Sequence, residues 1–221
     1  GDYHYHRARS AEIAGDPESA LVEGILSNRA CRWRVDGLAI AGASALRLGD
    51  SEKAIELLSQ VLKMRPWHTN SLLNLGVACT NAGEPARGAR HTAALLSMQP
   101  ESALAHSNIG YQYLRAKEYE QAFRHLTLAI EKGMDSPPNR SYLGFVLYHL
   151  GRFDESAAAF RGALEIDPDY TPAHLSLADL YTSKLDDPEK GARHRERFEE
   201  LEKDPAMIEL FLEGMGEPPT H

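Results

Sequence analysis

Apolar and polar positions alternate along this chain with helical spacing, in segments of about a dozen residues set apart by turn residues. Residues 69–82 carry one amphipathic pattern and residues 86–98 a second, which predicts two helices joined by a chain reversal at Gly83. The pattern recurs every 34 residues. One column holds Ala8, Gly42, Gly76, Gly110, Gly144 and Ala178, all small. A second holds Ala20, Ala54, Gly88, Ala122 and Ser156. Small residues facing each other let two helix backbones approach closely. A third column holds the turn residues Gly15, Gly49, Gly83 and Gly151, with Lys117 as the exception. Glycine there fits a reversal that needs positive φ. Pro66, Pro100 and Pro168 stop the second helix of a unit and aim the chain into the next.

These columns resemble the tetratricopeptide repeat over nearly the whole chain. Ser71-Leu72-Leu73-Asn74-Leu75-Gly76 carries the family's Leu-Gly core, and Ala163-Leu164-Glu165-Ile166-Asp167-Pro168 its second-helix and proline signature. The resemblance implies an all-α fold, a right-handed superhelical solenoid of antiparallel helix pairs in one continuous domain. Four units are firm: residues 35–68, 69–102, 103–136 and 137–170. Residues 1–34 form a degenerate first unit, with Arg7 and Gly24 where core apolars are expected. Residues 171–205 form a divergent last unit, which needs about two extra residues near Asp186-Asp187-Pro188 to bring Ala192 into the small column. Met134 stands where a proline is expected and Ser136-Pro137-Pro138 follows, so a shift of the superhelix is expected there. Residues 206–221 are expected to form a short apolar helix, Met207 to Leu212, and a frayed tail. That helix is open to three readings: a cap, an oligomer contact through the terminal helices, or a segment lying in the groove.

Composition narrows the function. With 43% hydrophobic and 25% charged residues the chain is ordinary globular material. A net charge of −8 argues against a nucleic-acid partner, which calls for a basic face. Two cysteines, Cys31 and Cys79, are too few for a disulfide framework. No apolar run approaches the roughly eighteen residues of a membrane helix. The chain opens at Gly1, which leaves a leader or lipid anchor upstream, and hence a cytoplasmic or periplasmic location, open.

The family resemblance implies that first helices line a concave groove for a protein or peptide partner. Its columns are Ala39, Ala43, Leu46 and Arg47, then Leu73, Val77, Thr80 and Asn81. Next come Ser107, Tyr111, Leu114 and Arg115, then Ser141, Phe145, Tyr148 and His149, and finally Leu175, Asp179 and Thr182. Aromatic and aliphatic residues on that face suit a binding surface. Asn74 and Asn108 share a neighbouring column, where an amide offers a peptide backbone one donor and one acceptor. The alternative for both is a local helix hydrogen bond, and for Tyr111, Leu114, Phe145 and Tyr148 a place in the inter-helix core. The cationic residues by which some relatives grip acidic C-termini are missing, since Ala39, Ala43, Leu104 and Asn108 stand near those places.

No catalytic constellation emerges. A phosphate loop, a dinucleotide turn and a nucleophile elbow are absent from the sequence. His4 and His6 are too few for a metal site. His106 and His174 share a column and read as packing residues, and Cys79 reads as a core thiol. The run Arg193-His194-Arg195-Glu196-Arg197 reads as a solvated helix face. The expectation is a non-enzymatic interaction scaffold without cofactor or metal. Its rival is an assembly component of a bacterial envelope machine, such as a pilus or secretion lipoprotein or a repeat domain on a polysaccharide enzyme.

Overall fold

The computed structural model describes residues 1–31 and 35–201. Every regular element among them is an α-helix, and they form two compact units, Gly1–Lys132 and a second that begins at Gly133. The first unit holds α1 (Asp2–Ala14), α2 (Pro17–Ala30), α3 (Val35–Arg47), α4 (Ser51–Met64), α5 (Thr69–Asn81), α6 (Pro85–Leu96), α7 (Ala103–Arg115) and α8 (Tyr119–Glu131). The second holds α9 (Pro137–His149), α10 (Phe153–Ile166), α11 (Thr171–Ser183) and α12 (Pro188–Leu201). The sequence boundary between them falls at the junction where Met134 replaces the expected proline.

One turn design joins the two helices of the first five pairs. The turn residue adopts the left-handed conformation at Gly15, Gly49, Gly83 and Gly151, and also at Lys117, with φ of 60°. Its N–H and the next one bond back to carbonyls of the helix just ended, as Gly83 does to Thr80 and Glu84 to Cys79. This closure satisfies carbonyls that a helix end otherwise leaves open. The second helix then starts on a side-chain cap at Asp16 and Asp50, whose carboxylates accept from the N–H of Ser19 and Lys53.

Close approach within a pair follows from the small columns. A Cβ on Gly42 would lie 2.6 Å from Leu58 Cγ, one on Gly110 would lie 2.7 Å from Leu126 Cγ, and one on Gly144 would lie 2.8 Å from the Phe160 ring. In each case the bulky residue comes sixteen positions after the glycine, on the facing helix. Ala20, Ala54, Ala122 and Ser156, on the second helices, are fully buried.

Three expectations need correction. In the last pair Asp186 takes the left-handed turn, and Gly191 is the buried small residue, four after the capping Asp187. One extra residue therefore suffices, and Ala192 is exposed. Gly24 substitutes for a core apolar because α2 packs backbone to backbone on α3: a Cβ there would lie 2.9 Å from that of Ala41. Arg7 is no misplaced core residue either; its guanidinium pairs at 2.9 Å with the buried Glu23, which also holds His4 Nδ1 at 2.7 Å. The apolar segment from Met207 to Leu212 lies outside the described residues.

Candidate functional site

The first helices of successive pairs pack side by side in the first unit, α1 against α3, α3 against α5 and α5 against α7. Their shared face carries a shallow cavity of about 420 Å³, lined by Glu12, Ala43, Leu46, Arg47, Asn74, Val77 and Asn81. The helical register explains the lining. Leu46 also packs against a buried cluster, so part of its side chain lines the cavity while the rest anchors it; Leu73, outside the lining, is half-buried against a neighbouring cluster. Arg47 and Asn81 sit at the exposed helix ends, where their polar tips reach water. The result is an apolar floor of Ala43, Leu46 and Val77 with amide and charged groups around it. Glu12 was missed at the sequence level because the degenerate first unit was left out of the groove. Its place in the column of Leu46 and Leu114 is the signal that finds it.

Farther along the same face, Ser107, Tyr111 and Leu114 are half-buried and Arg115 is exposed. The Arg115 guanidinium donates to the Tyr111 hydroxyl at 2.9 Å and lies 5.9 Å from the ring centroid. This pairing props the phenol against the helix end and leaves the cation without a carboxylate partner among the described residues. The Asn108 amide nitrogen donates to the Leu104 carbonyl at 2.9 Å, so its donor serves the local helix.

In the second unit α9 presents Phe145, Tyr148 and His149, and α11 presents Leu175 and Asp179. Phe145 and Tyr148 are half-buried and partly structural. Phe145 meets Phe160 edge-on at 5.1 Å, and Tyr148 meets Phe153 at 5.7 Å. His149 and Asp179 are exposed and Leu175 is half-buried. Asp179 accepts from the Ser183 hydroxyl. Two expected groove residues are interior instead. Ser141 is only 1% exposed, and Thr80 is buried with its hydroxyl turned back to donate to the Gly76 carbonyl at 2.9 Å. Both face the neighbouring helix because their columns lie at the edge of the groove stripe, where a short side chain falls inward.

Cys79 is fully buried, and burial pushes its thiol above the usual range. His106 and His174 are buried, each against a second histidine, His125 and His194. His194 interrupts the charged run that was expected to be wholly solvated; Arg193, Arg195 and Glu196 remain exposed. Among the described residues no group of three or more His, Cys, Asp or Glu side chains could hold a metal ion, and no helix is long and apolar enough to cross a membrane.

Comparison with known proteins places this arrangement. One model described as tetratricopeptide repeat matches residues 41–90 and 81–137, and a second with the same description matches residues 140–170. A search of curated proteins finds no match to the chain. Among solved structures, MamA 41-end from Desulfovibrio magneticus RS-1 is similar with a TM-score of 0.70 at 21% identity, over 76% of this chain and 95% of that one. MamA MSR-1 follows at 0.65 and 25% identity, over 77% and 97%. MamA AMB-1 gives 0.62 and 26% identity, over 81% and 98%. Matched by these repeat models over more than half its length, the chain belongs to the tetratricopeptide repeat family.

Proposed function

We propose that the chain is a non-enzymatic interaction scaffold that holds a peptide or helix of a protein partner on the face of its first helices. The observation that carries this reading is the cavity across α1, α3 and α5, with apolar side chains below and Glu12, Arg47, Asn74 and Asn81 around it. An apolar floor gives affinity by burying partner side chains, and the polar groups fix orientation. Asn74 can meet a backbone amide and carbonyl together. Arg47 and Arg115 face that surface without a carboxylate partner among the described residues, in a chain whose net charge is −8. Glu12 lines the same cavity, so the surface suits a segment that combines apolar side chains with charged residues, an acidic one to meet Arg47 and a basic one to meet Glu12.

A crosslinking pull-down from the native source tests this. The wild-type chain is compared with Val77→Asp and Arg47→Glu, and with Arg124→Glu, which changes an exposed position on α8. The groove reading expects one partner to be lost with the first two variants and kept with the third, all three confirmed folded. A partner captured equally by all would overturn it.

A further inference from the structure

The same buried arrangement occurs twice, 68 residues apart at its first member. In the first unit His106 Nε2 lies 3.1 Å from the Pro100 carbonyl oxygen, and its Nδ1 lies 2.9 Å from His125 Nδ1. In the second unit His174 Nε2 lies 3.0 Å from the Pro168 carbonyl oxygen, and its Nδ1 lies 3.0 Å from His194 Nδ1. An aromatic ring covers each outer imidazole: Tyr113 over His125 at 5.7 Å and Tyr181 stacked on His194 at 5.9 Å. Each pair thus ties a first helix to its second helix and to the connection that precedes both.

The hydrogen bonds dictate the protons. A carbonyl only accepts, so His106 carries its proton on Nε2 and, while neutral, offers a bare Nδ1. His125 must then donate from Nδ1, which leaves its Nε2 bare. A first added proton enters at His125 Nε2 and keeps the bridge. A second has only His106 Nδ1 to enter, where it meets the Nδ1–H of His125. No acceptor remains, and two cations face each other in contact.

We propose that the two histidine pairs are proton-sensitive latches, which hold α7–α8 and α11–α12 closed while neutral and release them on double protonation. Burial, and then the neighbouring His106, hold the His125 imidazole below the usual histidine range. Burial, then His174, then Arg161, do the same to His194. A histidine depressed in the folded state adds stability that is complete above about pH 6.5, its unfolded value, and is lost as pH falls through the folded value.

The surroundings separate the two latches. Around the first stand Tyr113 from α7 and, in the connection before it, Glu101, ion-paired to Lys132 beyond α8; the Glu101 carboxylate interacts with His106. Around the second stand Arg161 from α10, Tyr181 from α11 and Lys190 from α12, which pairs with Asp187; Asp169 in the preceding connection is paired to Arg197. A cation beside the second latch penalises its protonated forms further. The α11–α12 pair therefore loosens more on acidification than α7–α8.

Hydrogen exchange read by mass spectrometry tests this on the whole chain. The control is His106→Leu, His125→Leu, His174→Leu, His194→Leu, which copies what the chain itself does at Leu38 and Leu57 in the same register, both buried. From about pH 7.5 to about pH 5, protection of α11–α12 and α7–α8 should fall about tenfold or more in the wild type after correction for intrinsic rates, and clearly less in the leucine variant. Equal losses in both would overturn the proposal. If the variant does not fold, imidazole nitrogen spectra of the wild type decide. The latch requires the proton on Nε2 of His106 and His174 and on Nδ1 of His125 and His194; the opposite tautomers contradict it.

Discussion

Replacing Lys117 by glycine should stabilise the α7–α8 pair. Lys117 holds φ at 60° where the equivalent turns use Gly15, Gly49, Gly83 and Gly151. A residue with a Cβ in this conformation costs roughly 1–2 kcal/mol. Glycine removes that cost and adds roughly 0.5–1 kcal/mol of unfolded-state entropy. The difference is a net gain of about 0.5–1 kcal/mol. Side-chain loss should add little, because the Lys117 side chain is exposed and makes no hydrogen bond or ion pair with other described residues. The reverse change, Gly83→Ala, isolates the backbone term, since nothing lies within 4 Å of a Cβ built there. It should cost about what Lys117→Gly gains. With two compact units a single melting midpoint is not well defined, so native-state exchange of α7 and α8 amides is the suitable assay. Their exchange through opening should slow roughly two- to fivefold in Lys117→Gly. Faster exchange would refute the strain argument and show that the lysine side chain, not the backbone, matters at this turn.

Three further outcomes follow from the packing. Gly144→Ala drives a Cβ to 2.8 Å from the Phe160 ring, itself pinned by Phe145; overpacking should outweigh the gain in helix propensity and cost about 1–2 kcal/mol, read as faster native-state exchange of α9 and α10 amides, and unchanged exchange would contradict the packing described. Thr92→Val removes the hydroxyl that accepts from the buried Gln112 amide at 3.1 Å; because Gln112 Oε1 already lacks a hydrogen-bond partner among the described residues, the stranded side chain should cost about 1–3 kcal/mol. The fully buried Cys79 should react with a thiol reagent under native conditions much more slowly than the half-buried Cys31, and comparable rates would mean that the α5 core opens readily.

The pair architecture was legible because its cause is local and recurrent. A small residue facing a bulky one sixteen positions later marks three of the units, Gly42–Leu58, Gly110–Leu126 and Gly144–Phe160, and a left-handed turn before the second helix marks the rest as well. Lys117 shows where a column entry deceives: the backbone keeps its geometry although the side chain breaks the pattern. The displacement of Gly191 against Ala192 was not legible, because one or two inserted residues both supply a small side chain, and only the cap at Asp187 decides between them. The groove was legible as a face but not residue by residue. Thr80 and Ser141 sit at its margin, where a few degrees of helix rotation separate inside from outside. The histidine pairs cross two helices and were read one residue at a time. The spacing of 19 residues shared by His4–Glu23 and His106–His125, and of 20 in His174–His194 where the last turn gains one residue, was a visible but unused sign.

The most direct test of the interaction surface is hydrogen exchange of the chain alone and with its captured partner bound. The account predicts added protection on α3, α5 and α7, centred on the peptides that contain Arg47, Val77 and Tyr111, with little change on α4, α6 and α8. Protection confined to those second helices would place the partner on the other face and contradict the groove.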